Sequence, residues 1–179
     1  EWFKKEQKDN LRRWMVCGMF PNWGDRGHDT AYPPETGLAF DAIYEGWYKP
    51  ITWRRWYSLG HEKHRVNLQD AFTPIFEYYP RFDRGTGYAY TEFSSLERMP
   101  ACLRISTQDS TKVWVNNKLE LDERIHLPHK QLNDIEKKIL LREGRNTLLV
   151  KVSKIPGEFQ FALDITSEKG EPLNLLWWK

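Results

Sequence analysis

The sequence is short of cysteine, of long apolar runs, of helical periodicity and of any excess charge, and each shortage closes off a class of protein. Its two cysteines, Cys17 and Cys102, sit within strand-like segments, where a free buried thiol is the ordinary state. Free thiols are therefore the expectation, since sequence supplies no Cα separation for a bridge. No run approaches the roughly 18 apolar residues of a membrane helix, and Leu173 to Trp178 is far too short. Lys and Arg number 27 against 25 Asp and Glu, a formal charge of +2. The two signs are interspersed, so the clustered basic face that nucleic acid requires is missing. Catalytic signatures are missing too: there is no Gly-x-Ser-x-Gly elbow, no phosphate loop and no His-Glu-x-x-His. The chain opens Glu1-Trp2-Phe3 with neither an initiator Met nor an apolar signal core. It reads as a mature chain or as a segment cut from a larger multidomain protein.

What is present in quantity is aromatic. The 179 residues include 9 Trp, 8 Tyr and 9 Phe, or 15%. That length predicts one domain with a core of its own, preceded by a charged lead-in over residues 1–11, helical or loosely docked. Arg13 to Phe20 is apolar on both faces, as a central strand would be, and stops at Pro21-Asn22. Ile51 to Ser58, His64 to Leu68, Gly87 to Ser94, Ala101 to Thr107, Lys112 to Asn116, Lys118 to Leu121, Lys137 to Leu141, Asn146 to Ser153 and Glu158 to Thr166 also read as strands. In the last of these Phe159, Phe161, Leu163 and Ile165 alternate with Gln160, Ala162, Asp164 and Thr166, a period of two with one buried face. Asn116-Asn117 supplies the positive-φ pair of a two-residue hairpin turn, and Glu143-Gly144 another turn. Short strands with frequent turns predict an all-β sandwich of two antiparallel sheets. Two long irregular stretches interrupt it, residues 21–49 and 69–86. Connections of that length in a compact domain are usually functional.

Two runs carry a family resemblance. VWVNNKLEL followed by LREGRNTLLVKVSKIPGEFQFALDI resembles the jelly-roll sandwiches of the galactose-binding-like superfamily at Trp114, Asn116, Lys118, Gly144, Asn146, Leu148, Leu149, Val150, Lys151, Val152 and Phe161. Asn117 stands where that pattern has Gly, and both residues tolerate the left-handed backbone. WMVCGMFPNW with GHDTAYPPE resembles the opening of a subset of these domains at Trp14, Gly18, Phe20, Pro21, Asn22, Asp29, Thr30, Tyr32, Pro33, Pro34 and Glu35. The resemblance implies an accessory domain of a bacterial carbohydrate-active enzyme, secreted, periplasmic or on the cell surface, with a neighbouring catalytic domain and a polysaccharide or oligosaccharide ligand. It implies no cofactor beyond a calcium ion, for which Asp25, Asp29, Glu35 and Asp41 could offer oxygens at no assigned site.

The motif residues themselves read as scaffold, with Trp114 in the core and Asn116, Gly144 and Asn146 in turns. Ligand contacts are expected from the irregular segments. A sugar ring presents C–H faces and a rim of hydroxyls, so its binder needs aromatic plates and directional polar groups. Trp23, Trp47, Trp53, Trp56, Tyr57, Tyr78 and Tyr79 are candidate plates. Arg54, Arg55, Glu77, Arg81, Asp83 and Arg84 are candidate rim groups. The preferred carbohydrate site is Trp53, Trp56 and Tyr57 with Glu77, Tyr78, Tyr79, Arg81 and Asp83. The expected function is a non-catalytic carbohydrate-binding module. The alternative is a structural sandwich that packs on a neighbouring domain, and a lyase or hydrolase fragment is a third reading. Zinc is disfavoured: the spacing of three in His61-x-x-His64 and His126-x-x-His129 puts strand side chains on opposite faces, with no Cys pair to help.

Overall fold

The computed structural model describes residues 12–58, 64–73, 84–125, 133–154 and 157–178. Thirteen strands lie among them: β1 (Arg12–Phe20), β2 (Ile43–Tyr44), β3 (Ile51–Thr52), β4 (Arg54–Ser58), β5 (Arg65–Asn67), β6 (Gly85–Ser95), β7 (Met99–Thr107), β8 (Ser110–Val115), β9 (Lys118–Glu123), β10 (Asn133–Leu141), β11 (Gly144–Lys154), β12 (Gln160–Thr166) and β13 (Leu176–Trp177). Every named pairing is antiparallel. One sheet has seven strands in the order β4-β1-β6-β11-β8-β9, with β13 added alongside β6. The second runs β10-β7-β12-β5, and β2 and β3 form a small separate pair.

The two larger sheets enclose one apolar interior. Strand parity puts Trp14, Val16, Ala89, Val150 and Val113 on the same face of the seven-stranded sheet, since Val16, Ala89, Val150 and Val113 are successive cross-strand partners. That face meets Leu103, Ile105, Phe161, Leu163 and Ile165 of the other sheet, all buried. Trp14 and Phe161 make edge contact across the gap at 5.6 Å. Each such side chain contributes about 1.5–3 kcal/mol on burial. β1 is central, flanked by β4 and β6, as its two-faced apolarity predicted.

Turn chemistry closes the ladders where expected. Asn116 and Asn117 hold φ of 52° and 66° between β8 and β9, and Gly144 holds 76° at the first position of β11. The Asn116 and Asn146 side chains lock the two turns together. Asn116 Nδ2 donates to Asn146 Oδ1 at 2.9 Å, and Asn146 Nδ2 donates to the Arg142 and Gly144 carbonyls at 2.8 and 3.0 Å.

Several expectations are corrected. Ile51 to Ser58 is not one strand but two, β3 pairing with β2 and β4 with β1. The second irregular stretch begins with a short helix, α2 (Leu68–Phe72), capped by Asn67 Oδ1 accepting from the Asp70 N–H at 3.0 Å. The first contains 3-10 turns over Trp23–His28 and a single helical turn, α1 (Pro33–Thr36), with Pro at its first positions. The lead-in, residues 1–11, lies outside the described residues. Cys17 and Cys102 are both free and buried, and burial pushes the Cys17 thiol up to about 12.

Candidate functional site

The seven-stranded sheet has a second, outer face, and residues 21–48 lie over part of it. Cross-strand pairing lines up Cys17, Tyr88, Lys151 and Lys112 on this side, and next to them Met15, Tyr90, Leu149 and Trp114. The covering segment is fastened by groups from both resemblance motifs. Asn22 Oδ1 accepts from the Gly27 N–H at 2.7 Å, and its Nδ2 donates to the Lys154 carbonyl at 2.9 Å. A Cβ on Gly27 would strike the Thr86 and Asn22 side chains, so the close approach needs glycine. The Tyr32 ring stacks on Phe20 at 4.6 Å, and its hydroxyl donates to the Pro21 carbonyl.

At the centre of this fastening is a buried ammonium. Lys151 is fully buried on β11, and its Nζ donates to Glu35 Oε1 at 2.6 Å, to the Thr30 carbonyl at 2.7 Å and to the His28 carbonyl at 3.1 Å. Glu35 Oε1 also accepts the Tyr88 hydroxyl at 2.5 Å. Burial lowers the Lys151 pKa, and the Glu35 hydrogen bond opposes that shift. Burial and the neighbouring carboxylate push Tyr88 well above the usual phenol range. His28 adds a bond from its Nε2 to Asp122 Oδ1 at 2.7 Å. A loop held by so many satisfied buried polar groups is preorganised.

Two concavities result, one on each side of α1. The first is an open cleft of about 640 Å³ in which Trp23, Trp47 and Tyr48 stand beside Tyr32 and Pro33. Trp23 is 69% exposed. It projects from a turn in which Gly24 and Asp25 take positive φ, 57° and 60°, and Asp25 is held there by an ion pair with Arg84. Trp23 and Trp47 have ring centroids 4.9 Å apart, and Trp47 lies parallel to Tyr48 at 5.3 Å. The Trp47 N–H donates to the Met19 carbonyl at 2.8 Å, tying this strip to the end of β1. Among the described residues, Glu45 is the only charged one in the cleft's lining. The second concavity, about 380 Å³, lies between α1 and the outer sheet face, over Tyr90, Leu149 and Trp114.

Of the preferred site residues, the structure describes Trp53, Trp56 and Tyr57, and these three do not share one exposed face. Trp53 is buried at 6% exposure, its Nε1 donating to the Tyr44 hydroxyl at 3.4 Å and Phe40 set edge-on against its ring, so it presents no free face. Trp56 is half-buried, packed on the core opposite Trp14. Tyr57, next along β4, is 43% exposed and points to the other side of the strand. Glu77, Tyr78, Tyr79, Arg81 and Asp83 lie outside the described residues. Three of the four candidate calcium donors are engaged separately: Asp25 pairs with Arg84, Asp29 with Arg124 and Glu35 with Lys151. Among the described residues no group of three or more His, Cys, Asp or Glu could hold a metal. Trp114, expected in the core, is instead half-buried on the outer face. Tyr48 and Glu45 were missed altogether, although Trp47 beside them was a candidate plate. Gly46, whose Cβ would meet Ile51 Cγ2 at 2.7 Å, marks the close approach that holds this strip in place.

No family model matches the chain, and no curated protein does. A solved structure does share its fold. Part of a β-glucosidase from Kluyveromyces marxianus, solved in complex with glucose, superposes with a TM-score of 0.50 at 14% identity, covering 86% of this chain. This chain spans 16% of that enzyme's length. Looser likenesses are to a GH31 alpha-xylosidase from Xanthomonas citri (TM-score 0.41, 20% identity, 74% of this chain and 14% of that one) and to the PA14 domain of the MpAFP antifreeze protein (TM-score 0.39, 12% identity, 51% of this chain and 52% of that one).

Proposed function

We propose that the chain is a non-catalytic carbohydrate-binding module, a galactose-binding-like jelly roll that tethers a larger secreted carbohydrate-active protein to a glycan. The observation that carries this reading is the cleft of Trp23, Trp47 and Tyr48: three large rings gathered at an open concavity on a fastened loop. Isolated exposed apolar residues need no explanation, but a contiguous patch of them marks an interaction site. Aromatic faces pack against the C–H faces of a pyranose, and a carboxylate such as Glu45 accepts from its hydroxyls. The fold shared with part of a β-glucosidase supports a carbohydrate-active setting. A flanking catalytic domain and an extracellular location belong to the same proposal.

Affinity gel electrophoresis against a panel of neutral and acidic polysaccharides tests it, using the wild type and Trp23→Ala. Trp23 is so exposed that its removal leaves the fold intact. Retention of the wild type that is lost in Trp23→Ala, at unchanged melting temperature, supports a module. A wild type retarded by no polysaccharide overturns it in favour of a structural domain, because aromatic side chains are also enriched at protein interfaces.

A further inference from the structure

We propose that the Trp114 cavity on the outer sheet face is a second saccharide subsite, separate from the Trp23 cleft, and that it takes an uncharged, hydroxyl-rich ring. This rests on the reading of the chain as a carbohydrate-binding module.

The floor comes from strand pairing. Leu149 is the cross-strand partner of both Tyr90 and Trp114, so the three side chains form one strip across β6, β11 and β8. A half-buried Trp in the middle of a sheet leaves an apolar face over a cavity, and at about 380 Å³ the space falls within the roughly 300–1,000 Å³ of small-molecule sites. The wall is α1 with Gly37 and Leu38. Lys151 and Tyr88 hold it in place through Glu35, and a wall fixed by the protein's own bonds spares the ordering cost of binding.

The polar groups define the ligand. Both donors to Glu35 fall on Oε1, which leaves Oε2 an acceptor without a partner among the described residues, on a residue that lines the cavity. Lys151, 2.6 Å away, balances the carboxylate charge, so the cavity offers an acceptor without a net charge. Asn117 and Thr147 also line it, and neither side chain has a hydrogen-bond partner among the described residues, so both can meet hydroxyls. Tyr90 is engaged on its far side, its hydroxyl donating to Glu92 Oε1 at 2.8 Å, and Glu92 is in turn paired with Arg145. Among the described residues no Lys or Arg lines the cavity, and Lys151 is already engaged by Glu35, so an anionic sugar would find no cation free to receive it. The composition fits a neutral pyranose stacked on Trp114 with its hydroxyl rim toward Glu35, Asn117 and Thr147.

The test follows tryptophan indole resonances by 15N NMR while glucose, galactose, mannose, cellohexaose, mannohexaose and galacturonic acid are titrated into the whole chain. Trp114→Phe assigns the Trp114 signal. Gly37→Phe fills the cavity mouth: Gly37 has an extended backbone, φ 176°, and open space where a Cβ would go. Asn117→Gly removes the amide at a backbone that glycine accepts readily. The expected result is a saturable Trp114 shift with at least one neutral sugar, unaffected by Trp23→Ala, abolished by Gly37→Phe and about fivefold weaker in Asn117→Gly. A Trp23 response with an unmoved Trp114 overturns the second subsite and leaves the module standing. A Trp114 response restricted to galacturonic acid, or one unchanged in Gly37→Phe, overturns it as well. No indole response to any sugar refutes the module and the subsite together. A Trp114 response without one from Trp23 or Trp47 upholds the subsite and removes the cleft.

Discussion

Glu35→Ala isolates what fastens the covering segment to the sheet. In the wild type Lys151 is fully buried, and one of its three hydrogen bonds goes to Glu35. Removing Glu35 leaves the ammonium with two backbone carbonyls and no hydrogen-bonded counter-charge, and it strips the Tyr88 hydroxyl of its acceptor. Breaking a buried pair from one side costs about 3–5 kcal/mol. The ceiling has a physical origin: Lys151 can escape by losing its proton, which at pH 7 costs about 4.6 kcal/mol for an ordinary lysine pKa near 10.4. For a chain of this size that range lowers the melting temperature by about 6–20 °C. Calorimetry and urea unfolding would read it. Lys151→Met, which leaves Glu35 the Tyr88 hydroxyl as a donor, is expected to cost less. The double variant Glu35→Ala with Lys151→Met is expected to fall well short of the sum of the singles, with a coupling of at least about 2 kcal/mol. The pH dependence has a definite sign. Burial holds the folded Lys151 pKa below its unfolded value, so the unfolded chain binds more protons between those two values and stability rises with pH through that window. Losing Glu35 removes the opposing hydrogen bond, deepens the depression and steepens the rise. A Glu35→Ala protein within 1 kcal/mol of wild type, or an additive double variant, would refute the account.

Other expectations are independent of it. Gly87→Ala would put a Cβ 2.8 Å from Phe72 Cε2 and 3.0 Å from Phe159 Cζ, and overpacking of this kind costs about 1–3 kcal/mol; Gly37→Ala, with open space at the same point, is expected to match wild type in urea midpoint. Asp164 is held at about 2, because the hydrogen bonds and charges of His64 and Arg12 outweigh the burial that would raise it. Its stabilising contribution is whole above the ordinary 3.8 and is lost as pH falls through about 2, so Asp164→Asn should be less stable at pH 5 and show a shallower acid decline. With Cys17 at about 12 and both thiols buried, a thiol-specific dye should label neither cysteine in the native protein and both after denaturation.

The strands were legible where two signals agreed. β12 shows strict alternation, and the β8–β9 hairpin is announced by Asn116-Asn117 between apolar runs. β11 was legible over Asn146 to Ser153, both as a strand and as part of a family-like run. α2 was not, since its five residues, Leu68 to Phe72, are too few to display a helical period and its Asn67 cap resembles any loop asparagine. The break between β3 and β4 at Trp53 was hidden as well, because Ile51 to Ser58 keeps an extended pattern and only the change of partner strand divides it.

The amino-acid order by itself determined a mostly β chain, its principal turns and the aromatic-rich connections, because alternation and positive-φ residues act over a few neighbours. Which face of a strand is covered is a different matter. Trp114 and Val113 are adjacent and both apolar, and only the pairing of β8 with β11 under a two-layer core turns Val113 inward and Trp114 outward. Trp23 and Trp53 are chemically the same, yet one is 69% exposed and the other 6%. The bonds from Asn22 to Lys154 and from Lys151 to Glu35 join residues more than a hundred positions apart. Tertiary structure alone decided these things, since burial is a property of what surrounds a side chain and those surroundings come from distant parts of the chain.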